Sequence, residues 1–108
     1  MSITVNIYYT GKDNSAVEFA REMEQSGTAD LIRKEKGNRR YEYFLPMQDP
    51  RTVLLIDSWE DQASIDAHHA SPMMKTIAQL REKYDLHMRV EKYVPAPEEK
   101  QDREFIRE

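Results

Sequence analysis

Residues 52–59, TVLLIDSW, form a nearly continuous apolar run. It is too short for a membrane helix and too uniformly apolar for a half-solvated strand, so it reads as a strand buried on both faces. Such a strand belongs inside a sheet with a cover on each side. RRYEYFL (39–45) precedes it, aromatic-rich, across Pro46 and Gln48-Asp49-Pro50, which suggests an antiparallel hairpin.

The rest of the chain supplies what this hairpin lacks. SITVNIYY (2–9) alternates, with Ile3, Val5 and Ile7 on one side and Thr4, Asn6 and Tyr8 on the other. Ala16, Phe19, Ala20 and Met23 then recur at helical spacing, with Asp13 or Asn14 as N-cap. A break near Gly27 and a short turn through Leu31 and Ile32 follow, and Gly37 suits a left-handed C-cap. Asp61 can cap a helix through Ala63, Ile65 and Ala67, and Ser71-Pro72 restarts it as cap and first helical residue. DLHMRVEKYV (85–94) alternates Leu86, Met88 and Val90 against His87, Arg89 and Glu91, a last strand.

The order is therefore β-α-β-β-α-β. With right-handed crossovers this is an α+β, ferredoxin-like fold, a four-stranded antiparallel sheet with its helices on one face. The other sheet face still needs a cover, and a second copy related by a two-fold axis is the simplest one. The expectation is a homodimer. Residues 1–94 make the domain; 95–108 follow Pro95 and Pro97 as a charged tail, mobile or docked on a neighbour, with Phe105 and Ile106 as its anchors.

Composition removes several functions. A chain of 108 residues fits one domain and buries only about 60–65% of its unfolded surface. The net charge of −4 argues against nucleic acid as a partner. No apolar window spans a membrane and the N-terminus does not read as a signal peptide, which makes the cytoplasm the expected location. Without cysteine there is no thiolate nucleophile, Cys-ligated zinc or iron–sulfur cluster. Three glycines, at 11, 27 and 37, cannot write a dinucleotide fingerprint or a P-loop.

The chemistry-bearing residues gather near 57–74. His68 and His69 point about 100° apart on a helix and lack a two-histidine metal spacing, so no metal site is expected. One of them can face inward beside Ile65, where an imidazole can move a proton near neutral pH or simply bond a carbonyl. Trp59 can plug the space below the next helix or wall a pocket. Asp57 shares its side of the strand, at a pocket mouth or paired to a base. Asn6, with Thr4 and Tyr8, lines a cavity or faces solvent. The tyrosines, Tyr8 and Tyr43 among them, suit a flat aromatic ligand or an interface equally. Met73 lines an adaptable pocket or fills core.

Together the motif DSWEDQASIDAHHASPMM (57–74), the stretch EKGNRRYEYF (35–44) and the strand HMRVEKY (87–93) resemble the antibiotic biosynthesis monooxygenase domain family over residues 2–93. Asp57, Trp59, His68, Ser71 and Pro72 stand at the family's motif positions. The resemblance implies a dimeric α+β barrel with a cavity in each subunit. It also implies oxidation of a small aromatic phenol or quinol by O2 with no metal, flavin or other cofactor. The catalytic residues it suggests are Asn6 as an orienting amide, Trp59 as an aromatic wall and His68 as a base; Tyr8, Tyr43, Asp57, His69 and Met73 would bind substrate. A heme-degrading branch of this fold places a tryptophan where His68 stands and a histidine where Ala78 stands, which ranks that activity low. The rival from another class is a non-catalytic dimer that only binds a small molecule, or a stress-related protein.

Overall fold

The computed structural model describes all 108 residues. Strands β1 (Ile3–Thr10), β2 (Asn38–Phe44), β3 (Thr52–Trp59) and β4 (His87–Tyr93) form one sheet in the order β2-β3-β1-β4. Every neighbouring pair is antiparallel. The apolar run 52–59 is an inner strand, paired on both sides, and the fold is the ferredoxin-like one. Contrary to the expectation from its uniform apolarity, only one of its faces is buried, since Leu54, Ile56 and Ser58 stay partly exposed.

Helices α1 (Ser15–Gln25) and α2 (Thr28–Arg33) cross from β1 to β2, and α3 (Gln62–His69) and α4 (Met73–Lys83) cross from β3 to β4. Gly27 separates α1 from α2 because the chain there needs a φ of 82°, a value most side chains resist. Gly37 also takes a left-handed φ of 86°, but in the turn before β2 rather than at a helix end, since α2 stops at Arg33. The side chain of Asp61 accepts a hydrogen bond from the Ser64 amide at 2.8 Å and opens α3 as its sequence suggests. At the restart, the N-cap position of α4 is Pro72, and no side chain caps it; the Ser71 hydroxyl is buried without a partner.

Alternation sorts the sheet into two faces. Ile7 and Tyr9 of β1, Val53, Leu55, Asp57 and Trp59 of β3, and Tyr41 of β2 are all buried. Phe19, Met23, Ile32, Ile65, Ile77 and Leu80 from the helices complete this core. Phe19 packs its ring 4.8 Å from that of Tyr9 and edge-on to Tyr43 and Tyr84. The opposite face carries Thr4, Asn6, Tyr8, Phe44, Leu54, Ile56 and Ser58, which stay partly exposed. The tail after Pro95 forms a short 3-10 helix, Lys100–Phe105, with no buried residue; Arg103 bonds the carboxylates of Glu98 and Glu108 on either side.

Candidate active site

Between the sheet and the second helical pair lies a cavity of about 310 Å³. Val5 and Ile7 of β1 and Met88 and Val90 of β4 give it an apolar floor, and Trp59, Ile65 and Met74 wall it. Its polar groups are Asp57, Gln62, His69, Arg81 and Lys92. A volume near 300 Å³ admits a small fused-ring molecule.

Asp57 is the unusual member. It stands on the inner strand, 6% exposed, and its Oδ1 has no hydrogen-bond partner. Burial raises its pKa from the ordinary 3.8 to about 7; the polar edge of the Trp59 indole works against that rise, and the Glu35 carboxylate adds to it. A carboxyl poised near neutrality and facing a cavity can both take up and return a proton.

Arg81 reaches the same cavity from α4. Its Nε and Nη2 donate to the Tyr9 hydroxyl at 3.2 and 2.8 Å. Burial pushes the Tyr9 phenol pKa up, against the pull of the Arg81 charge. The guanidinium is thereby held by a neutral oxygen and keeps its full charge toward the cavity.

The structure separates the two histidines. His68 is 4% exposed and does not line the cavity. Its Nδ1 lies 2.7 Å from Oε1 of Glu35, and its ring packs 4.8 Å from the Trp59 indole at 30°. His69 is exposed and sits on the cavity rim. His68 therefore braces the tryptophan wall from outside the chamber.

Other expected site residues lie away from this cavity. Asn6 and Tyr8 face the opposite side of the sheet from Trp59 and His68, because Val5 and Ile7 occupy the cavity side and side chains alternate. Asn6 pairs across the sheet with Ile56 and Glu91, and Tyr8 packs under the Arg89 guanidinium, 4.0 Å from the ring centroid. Tyr43 lines a separate groove of about 330 Å³ between α1 and the β2 edge. Met73 packs on the core while Met74 lines the cavity. Of the expected residues, Asp57, Trp59 and His69 are brought together.

Arg81 and Lys92 were missed by sequence reasoning. Arg81 lies four residues beyond Ile77, on the inward stripe of α4, and that spacing was the available signal. No cluster of three His, Asp or Glu side chains able to hold a metal occurs. No helix is long and apolar enough to cross a membrane.

The model of the antibiotic biosynthesis monooxygenase family matches residues 2–80. The chain belongs to this family. Solved structures share its fold at low identity. PA3566 from Pseudomonas aeruginosa superposes with a TM-score of 0.76 at 18% identity, over 89% of this chain and 95% of its own. Rv0793 from Mycobacterium tuberculosis gives 0.75 at 17%, over 91% and 98%. SnoaB from Streptomyces nogalater, a cofactor-independent oxygenase, gives 0.75 at 14%, over 90% and 95%. No curated relative matches the chain.

Proposed function

We propose that this member of the family is a cofactor-independent monooxygenase that oxidises a small aromatic phenol or quinol with O2. The observation that carries the reading is Asp57, a buried carboxyl near neutrality that faces an apolar cavity beside an arginine.

Asp57 takes the proton of an activated phenol or of the carbon para to it, and Arg81 stabilises the oxyanion. The electron-rich anion passes one electron to O2, and the resulting radical and superoxide combine to form a carbon–oxygen bond. The peroxide then loses water as the O–O bond breaks and the remaining proton leaves that carbon. A ring methylene plus O2 becomes a carbonyl plus water, so the balance closes without another reductant. Trp59 and the aliphatic walls keep bulk water from the anion.

In this reading Asp57, not His68, is the base, and His68 with Glu35 positions the tryptophan wall. The protein works as a homodimer joined through the open sheet face, where Leu54, Ile56, Tyr8 and Phe44 are partly exposed and the Asn6 side-chain oxygen is buried without a donor. The catalytic unit is residues 1–94, with 95–108 as an appendage.

Oxygen uptake with anthrones and simple quinols tests it. Asp57→Asn should lower the rate about 100-fold or more, while His68→Asn should cost far less. Equal rates in wild type and Asp57→Asn would remove Asp57 from the chemistry. Saturable quenching of Trp59 with uptake no faster than autoxidation would make the protein a binder rather than an enzyme.

A further inference from the structure

The cavity has a direction. Asp57, Val5 and Lys92 lie in one row across three strands, since Val5 pairs with Asp57 on one side and with Lys92 on the other. Two interstrand spacings put the Asp57 and Lys92 backbones ~10 Å apart. Alternation points all three side chains into the chamber, and all three line it. The inner end therefore carries the buried carboxyl. The outer end, on the edge strand β4, carries an exposed ammonium.

No carboxylate bonds Lys92 directly. Lys92 donates to the Gln62 side-chain oxygen at 2.6 Å, and Gln62 in turn donates to Asp66 at 2.9 Å. His69 is exposed on the same rim. Neither Lys92 nor Arg81 forms an ion pair, so both charges stay available to a ligand. The cavity lining thus contains two permanent cations and one carboxyl, Asp57, in a protein that is acidic as a whole. Such a mouth favours anions, and the exposed ammonium offers a bound carboxylate a charge-assisted hydrogen bond.

We infer that the substrate is an aromatic acid, a fused-ring phenol whose carboxylate binds Lys92 and the His69 rim while its reacting hydroxyl end reaches Asp57. This rests on the phenol-oxidising reading for the assignment of the inner end, but the carboxylate site is read from binding alone. A naphthalene hydroxylated at one end and carboxylated at the other runs along this row, its hydroxyl toward the buried carboxyl and its carboxylate toward the edge-strand ammonium.

The test is calorimetric titration of the intact protein with 6-hydroxy-2-naphthoate and with 6-hydroxy-2-naphthamide, which share the ring and hydroxyl and differ in charge. The acid should bind about 10-fold or more tightly, and its advantage should shrink as salt rises. Lys92→Gln should abolish the difference, while Lys75→Gln, an exposed lysine on α4 away from the rim, should keep it. Equal affinity for acid and amide in wild type, binding of neither, or a preference that survives Lys92→Gln would each overturn the inference. Because heat of binding is read without turnover, a clear preference with no oxygen uptake would sink the proposed reaction and leave the carboxylate site standing.

Discussion

Glu35 and His68 are joined by a 2.7 Å hydrogen bond that ties the turn before β2 to the last turn of α3. The histidine ring carries that tie onto Trp59, at a centroid distance of 4.8 Å. Both histidine and tryptophan are almost wholly buried, so loss of the ring leaves a void and an unmatched carboxylate together. His68→Ala should cost about 2–4 kcal/mol and Glu35→Gln about 1 kcal/mol. Urea unfolding followed by the emission of Trp59 reads both. An unchanged midpoint in His68→Ala would show that the brace bears no weight.

Asp57 makes stability fall as pH rises. Its carboxyl titrates near 3.8 when unfolded and at about 7 when folded. Between those values the native state holds the extra proton, so the stabilisation present below pH 4 is lost progressively up to about pH 7 and is constant above. Relative to Asp57→Asn, wild type should lose on the order of 2–4 kcal/mol across that window. Thermal unfolding of both proteins at pH 4.5 and pH 8 gives the comparison. Parallel curves would mean that Asp57 ionises freely in the native state.

Asp61 closes the first turn of α3 through Ser64, whose amide and hydroxyl both donate to Asp61 Oδ1 at 2.8 Å. Asp61→Ala should cost about 1 kcal/mol, which in a domain of this size lowers Tm by about 4–8 °C. Asp61→Asn should retain most of that stability, because the amide oxygen still accepts.

Ile56 sits at the centre of the open sheet face, flanked by Asn6 on β1 and Glu42 on β2. Ile56→Arg should turn a dimer into a monomer at micromolar concentration, read by sedimentation, with far-UV circular dichroism unchanged. A wild type that sediments as a single chain would refute the proposed assembly directly.

The order of elements was legible because each leaves a period: two in 2–9 and 85–94, near 3.6 in the helices, and glycine, proline or aspartate between them. The inner position of 52–59 followed from its uniform apolarity. What misled was polarity as a guide to the chamber. Asn6 drew attention as the amide of an otherwise apolar strand, yet the floor of the cavity is itself apolar, so Val5 and Ile7 point into it and Asn6 points away. The two histidines could not be separated locally because the partner that fixes His68, Glu35, lies 33 residues earlier in the chain. Arg81 lies on the inward stripe of α4, but only the approach of Tyr9 from β1 gives it a fixed place.

Two of the four floor residues, Met88 and Val90, belong to β4, which is paired on one side only. A strand at the margin tolerates exchange of its side chains better than the inner ladder does, since fewer neighbours have to readjust. The chamber can therefore be lengthened, shortened or recharged from that border while β1, β3 and the proton-carrying carboxyl stay as they are. That places the adjustable part of ligand choice on the last strand and the buried carboxyl at the heart of the sheet.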